Sequence, residues 1–286
     1  MSGSVMRARG ATGILLGVRW LRHSADYPYF DNDGMPLAFA HRGGALTGDN
    51  VGLENSMVAF QTAVAHGYRY LETDVHATAD GVLVAFHDAT LDRTTDGAGT
   101  IAELPYADVR SARIDGRAPI PLLDDLLTAW PDVRLNIDCK SASAVEPLVA
   151  AINEHRAWDR VCVAAFSSAR LLRLRRMLGP RVATSYGTLG VAALRLLPST
   201  WLRAAAAGHG GLAAQVPVRR GRLEIVTPAF VSQAHELGKQ VHVWTIDDPA
   251  EMVRLLDMGV DALITDRIDA LRDVYRARGI WRGADR

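Results

Sequence analysis

The 286 residues predict an α/β protein, a closed (β/α)8 TIM barrel. Three observations carry this. Eight β-rich runs alternate with amphipathic helical runs from Pro36 to Arg278, a pattern that gives parallel strands joined by right-handed crossovers. No long linker interrupts the series, and the length suits one barrel of about 250 residues. The first strand runs into His41-Arg42-Gly43-Gly44, too short for the glycine-rich phosphate turn of an open doubly wound sheet.

The elements follow in order. Residues 1–33 hold Arg7, Arg9 and the apolar run Ile14 to Val18, which Arg19 and Arg22 cut off. That run is too short for a signal-peptide core or a bilayer span. These residues read as a loosely attached extension with peripheral membrane contact as one use, and 34–286 as a single catalytic domain. Leu37 to Ala40 is the first strand. Glu54-Asn55-Ser56 opens a helix that Gly67 stops after His66. Tyr70 to His76 is the second strand, and a further apolar strand, Val82 to Phe86, follows the turn Ala79-Asp80-Gly81. Residues 91–119, rich in Asp, Gly, Arg and Thr, read as irregular.

A helix from Pro121 to Trp130 precedes the strand Arg134 to Cys139. The helix Ala144 to His155 leads to the strand Val161 to Phe166. Ala169 to Leu178 is a basic amphipathic helix closed by Gly179-Pro180, and Arg181 to Tyr186 is the fifth strand. Leu189 to Ala207, rich in Ala and Leu, reads as one helix. The strand Leu212 to Val216, the helix Pro228 to Leu237, the strand Gln240 to Ile246 and the helix Pro249 to Met258 follow. The strand Ala262 to Thr265 and the helix Ile268 to Arg278 complete the series.

An apolar fraction of 49% is ample for a core, and 32 basic residues balance 32 acidic ones. No global field therefore draws in nucleic acid or an acidic membrane, which leaves room only for a local patch. Cys139 and Cys162 form no CxxC pair, which argues against a disulfide framework or a zinc site and suits a reducing, cytoplasmic compartment.

In a barrel, reacting side chains gather where strands end. His41, Glu72, Asp74, Asp138, Lys140, Trp244 and Asp266 all fall there. Side chains change face at every strand residue, so Glu72, Asp74 and His76 share one side. Two carboxylates so placed in a core strand repel unless a hard divalent cation joins them or one takes a proton. Asp138 supplies a third oxygen ligand, and Lys140 either pairs with Asp138 or faces a phosphate. An all-carboxylate set favours Mg2+ or Ca2+ over zinc.

His41 and His87 each end an apolar run, where a lone histidine is usually structural. Two at one rim around a cation site read as the acid/base pair that phosphodiester hydrolysis needs. Arg42 offers a guanidinium fork to non-bridging phosphate oxygens. Glu54 either helps cap the first helix or orients the cation or a histidine. Trp244 shares parity with His242, so it walls the barrel mouth where a small polyol would pack. His76 either lines the site or bonds a nearby loop.

These motifs, in this order, resemble the glycerophosphodiester phosphodiesterase family. They are HRG at 41–43, EN at 54–55, ETDV at 72–75 with DG at 80–81, HD at 87–88 and LxRTTxG at 91–97. IPLL at 120–123, LNIDCK at 135–140, VWTID at 243–247 and GVDALITDR at 259–267 complete the set. The resemblance spans about Leu37 to Leu271. It implies a small insertion after the second strand unit, at about 91–119, a small-molecule glycerophosphodiester substrate, one divalent cation on Glu72, Asp74 and Asp138, catalytic histidines at His41 and His87, and phosphate binding by Arg42 and Lys140. The implied reaction yields sn-glycerol 3-phosphate and an alcohol. Three departures stand out. Asp138 replaces the family's usual Glu, the loop between HRG and EN is long and lacks a Pro before Glu54, and the insertion is short enough to admit a lipid-like diester. Two rival readings remain. One is a lysophospholipase D-like enzyme, for which Leu189 to Arg203 would be a lipid surface. The other is a non-catalytic phosphate- or polyol-binding barrel, which a missing acid/base residue would favour.

Overall fold

The computed structural model describes residues 21–207 and 210–283. The run Ile14 to Val18 lies outside the described residues. Eight strands form the barrel: β1 (Leu37–His41), β2 (Tyr70–Ala77), β3 (Arg134–Cys139), β4 (Val161–Ala164), β5 (Ala183–Thr184), β6 (Ala213–Pro217), β7 (Gln240–Trp244) and β8 (Ala262–Thr265). They run parallel in the order β5-β4-β3-β2-β1-β8-β7-β6. A parallel bridge from Ser185 to Ala213 brings the two ends of that row together.

Register sorts the side chains. Phe39, Tyr70, Cys162, Ala213 and Ile264 pack together inside the barrel, while Leu71, Ile137, Val163, Val241 and Leu263 face outward under the helices. Those helices are α1 (Met57–Ala65), α2 (Leu123–Ala129), α3 (Val145–Glu154), α4 (Ser168–Leu178), α5 (Thr188–Leu196), α6 (Thr200–Ala207), α7 (Pro228–Glu236), α8 (Pro249–Met258) and α9 (Ile268–Ala277). No described helix is long and apolar enough to cross a membrane.

The structure departs from the sequence reading in four places. The expected helix Leu189 to Ala207 is two helices, because Pro198 has no N–H to donate and forces Leu197 to an extended ψ of 135°. Ser56, not Glu54-Asn55, caps α1 by accepting from the Ala59 N–H at 3.2 Å, which leaves Glu54 and Asn55 for other partners. The strand after the Asp80-Gly81 turn is short, Leu83–Ala85, and runs antiparallel on β2. The described part of the extension is not loosely attached. Tyr29 and Phe30, 1% and 6% exposed, pack on Tyr70 and Phe39 at the amino end of the barrel. The Tyr70 hydroxyl donates to Tyr29 O at 2.9 Å and Ser24 Oγ to Leu212 O at 2.6 Å. These residues close apolar surface that the open barrel end would leave wet.

The insertion carries its own small core. Leu91, Ile101, Val109 and Ile114 pack with Leu53 and Phe86. Two-residue strands, Arg113–Ile114 and Ala118–Pro119, pair antiparallel within it.

Candidate active site

β1 delivers His41 to the carboxyl rim, and the turn after it is tightly specified. Arg42 takes a left-handed φ of 48°, which costs a non-glycine residue about 1–2 kcal/mol. Two bonds hold it there: Arg42 N donates to Glu72 O at 3.0 Å, and Asn55 N donates to Arg42 O at 2.9 Å. Gly43, at φ 88°, admits no side chain, since a Cβ would lie 2.7 Å from Ala59 Cβ and 2.9 Å from Phe60 N. The turn therefore lies directly on α1 and aims Arg42 across the mouth.

Strand register assembles the acidic cluster. Asp74 sits opposite Asp138, and Glu72 opposite Asn136 and His41. Glu72, Asp74 and Asp138 are 6%, 1% and 6% exposed. Lys140 Nζ bridges Asp74 Oδ1 at 2.8 Å and Asp138 Oδ2 at 2.7 Å. Asp74 Oδ2 accepts from Asn55 Nδ2 at 3.0 Å, and Arg42 Nε lies 3.2 Å away as an ion pair not aligned for a hydrogen bond. Burial opposes the Asp74 charge, but Lys140 and Arg42 outweigh it and hold this carboxyl below its ordinary range. Glu72 goes the other way: burial first, then the Asp74 charge, push it up.

Three buried carboxylates thus face two fixed cations, Arg42 and Lys140. Asp138 Oδ1 is buried with no hydrogen-bond partner. Hard oxygen donors short of positive charge fit a hard divalent cation. Among the described residues no three His, Cys, Asp or Glu side chains already meet at metal-binding distance, and the Lys140 ammonium takes the space between Asp74 and Asp138.

Each histidine leans on a carboxylate. His41 Nδ1 lies 2.9 Å from Asp266 Oδ1, and its Nε2 lies 3.7 Å from Glu72 Oε2. Burial disfavours the imidazolium, yet Glu72 and the Asp266 hydrogen bond prevail and raise its pKa. His87 Nδ1 lies 2.6 Å from Asp88 Oδ1. The Arg93 hydrogen bond, with help from His87, pulls Asp88 down to about 2. Arg93, from the insertion, also donates to both oxygens of Glu54, at 2.7 and 3.1 Å. Glu54 in turn accepts from Arg42 Nη1 at 3.1 Å. His76 does not line the site with a free ring nitrogen at Nε2, which bonds the His87 carbonyl at 3.1 Å. Trp244, half-buried, meets Phe166 edge-on with ring centroids 6.1 Å apart, and Lys140 Nζ sits 5.5 Å over the Phe166 ring.

The acids, Arg42, Lys140, His41 and Glu54 are thus linked by successive contacts, and His87 joins them through Asp88 and Arg93. Sequence reasoning missed the parts played by Asn55, Asp88, Arg93 and Phe166. It placed Asp266 at the rim without its partner. Strand parity, which puts Asp266 on the inward face with Ile264, was the available signal for that one.

The model of the Glycerophosphoryl diester phosphodiesterase family matches residues 41–270. A Mycobacterium tuberculosis protein described as "Probable glycerophosphodiester phosphodiesterase 2" is 44% identical over 276 residues, 93% of this chain and 97% of its own. Glycerophosphodiester phosphodiesterase of Caldanaerobacter subterraneus subsp. tengcongensis is 28% identical over 258 residues, 85% of this chain and 99% of its own. The crystal structure of glycerophosphodiester phosphodiesterase from Agrobacterium tumefaciens shares the fold, with a TM-score of 0.69 at 23% identity over 84% of this chain and 100% of that one. With the family pattern running through almost the whole barrel, the chain belongs to the glycerophosphoryl diester phosphodiesterase family, a family of phosphoric diester hydrolases.

Proposed function

We propose that the chain hydrolyses glycerophosphodiesters to sn-glycerol 3-phosphate and an alcohol, with His41 and His87 as its acid/base pair. The observation that supports this best is the carboxylate at Nδ1 of each imidazole, Asp266 at 2.9 Å and Asp88 at 2.6 Å. Such a partner fixes the tautomer and leaves Nε2 to give or take a proton. One histidine removes a proton from the attacking oxygen, either water or the glycerol 2-hydroxyl. The other protonates the departing oxygen. Arg42 and Lys140 hold the non-bridging phosphate oxygens, with Arg42 preset by Glu54 and Asp74. Trp244 walls the glycerol. A divalent cation, Mg2+ or Ca2+, held by Glu72, Asp74 and Asp138 would supply charge neutralisation at the phosphoryl group.

His41→Ala and His87→Ala each lower kcat on glycerophosphocholine by about 10²–10⁴-fold while both variants still fold, as a cooperative thermal transition shows. Near-normal turnover in either folded variant refutes the pair. A lysophospholipase D-like use of the same site is the second reading. Phe166 and Leu189, 63% and 73% exposed, give it apolar surface beside the mouth. Relative kcat/KM on monoacyl and deacylated diesters separates the two.

A further inference from the structure

The carboxyl rim has two unlike sides. On one side Glu54, Asp88 and Arg93 pair with one another and with Arg42 and His87. From β4 round to β7 the rim instead exposes apolar and basic side chains. Phe166 follows β4, and Leu189 lies in the first turn of α5. Thr188 Oγ1 donates to the Phe166 carbonyl at 3.5 Å, which ties the start of α5 to the segment that carries Phe166. Phe166 meets Trp244, and Trp244 pairs in register with Pro217, where β6 ends. The chain then turns into a hairpin, Arg219–Arg220 against Leu223–Glu224.

That hairpin exposes Arg219, Arg220 and Arg222, and Leu223 is 51% exposed. Arg219 lies 4.0 Å from Glu224, but Arg220 and Arg222 have no acidic partner among the described residues. Arg195 of α5 donates to the Glu224 carbonyl at 3.4 Å and ties the hairpin to that helix. The segment 188–207 contains no acidic residue.

We propose that this arc docks on an anionic phospholipid bilayer and turns the barrel mouth toward it. The charge complementarity selects the occupant. Two guanidinium groups without counter-charges call for an anionic partner, and their place on a projecting hairpin suits a diffuse sheet of charge. The flanking Leu189, Phe166 and Leu223 are the side chains that a headgroup boundary takes up. The inference goes beyond the diesterase reading, which enters only in saying what the mouth would meet.

The test is cosedimentation of the full chain with phosphatidylcholine vesicles, with and without about 30% phosphatidylglycerol, at low and high salt. The chain partitions to the anionic vesicles and less so as salt rises. An arginine at such a surface contributes about fivefold, so R220S/R222S lowers partitioning roughly 25-fold. L189S lowers it further with the salt dependence kept. None of these side chains belongs to the acid/base or phosphate-binding set, so turnover of a soluble diester is unchanged. Equal partitioning of native and R220S/R222S chains, or none at low salt, overturns the proposal. So does a lipid-free dimer in analytical ultracentrifugation that the same substitutions abolish, which assigns the arc to a second copy. Sedimentation is read without turnover, so failure of the diesterase reading shows separately in the histidine variants.

Discussion

Asp266→Asn removes the charge facing His41 and keeps the side chain's shape. In the native chain His41 Nδ1–H donates to Asp266 Oδ1 at 2.9 Å, with the two side chains 14% and 20% exposed. A charge-assisted bond of this kind contributes about 1.5–3 kcal/mol, or about 10–150-fold in rate if it holds an imidazolium in the transition state. Asparagine can also turn its amide N–H toward Nδ1, which places the ring proton on Nε2 and blocks that nitrogen as a base. The backbone of residue 266 keeps its own partners. Its N–H donates to Asp247 Oδ1 at 2.8 Å, and its carbonyl accepts from Thr47 Oγ1 at 3.2 Å. kcat should therefore fall about 100-fold, with KM within about threefold because Arg42 and Lys140 are untouched. Choline release from glycerophosphocholine measures this, with thermal unfolding run alongside. A kcat within about threefold of native in a folded variant, or a loss carried wholly by KM, refutes the positioning role.

Arg93→Met leaves Asp88 and Glu54 without their shared partner, so kcat/KM should fall about tenfold, and Arg93→Lys should recover only part because an ammonium cannot fork to both; full activity in the Met variant sinks the idea. Mg2+ or Ca2+ at about a hundredfold over Kd should raise Tm by about 5 °C, from about 2.7 kcal/mol and about 2 °C per kcal/mol for a chain of this size. Asp138→Asn should lose that shift, and an unchanged shift there rules Asp138 out as a ligand. His242 is wholly buried, with Nε2 2.8 Å from Gln240 Oε1, and burial pulls its pKa down to about 4. Between about pH 6.5 and about 4 the unfolded chain binds a proton that the folded chain refuses. Stability is therefore lost as pH falls through that window, by up to about 3 kcal/mol. Denaturant midpoints at about pH 7 and pH 5 should converge in His242→Gln relative to native, and identical pH dependence in both contradicts the assignment.

What could be read from the sequence was what is local. Glu72, Asp74, Asp138 and Lys140 declare themselves by strand alternation, and parallel register then sets Asp74 against Asp138. Eight strand-and-helix units are enough to close a barrel, so the rim position of His41 follows from the end of its strand. Contacts made only by closure are not legible: His41 and Asp266 are 225 residues apart and meet because β1 pairs with β8. Tyr29 and Phe30 sit in a polar, aperiodic stretch whose burial depends on an open barrel end being near. Pro198 was visible, but the Ala and Leu content around it outweighed the one residue that cannot continue a helix. Arg93 was hidden for a different reason. The insertion has no period to read, and its order comes from Leu91, Ile101 and Ile114 packing on Leu53 and Phe86. That packing gives the segment a function beyond filling space. Leu53 adjoins Glu54, and Phe86 adjoins His87, so the same small core sets the loops that carry both. Arg93 then spans the gap, joining the Asp88 carboxylate behind His87 to the Glu54 carboxylate behind Arg42. The ring proposed to transfer protons and the fork proposed to bind phosphate, delivered by different strands, are thereby held in one frame by a residue that belongs to neither strand.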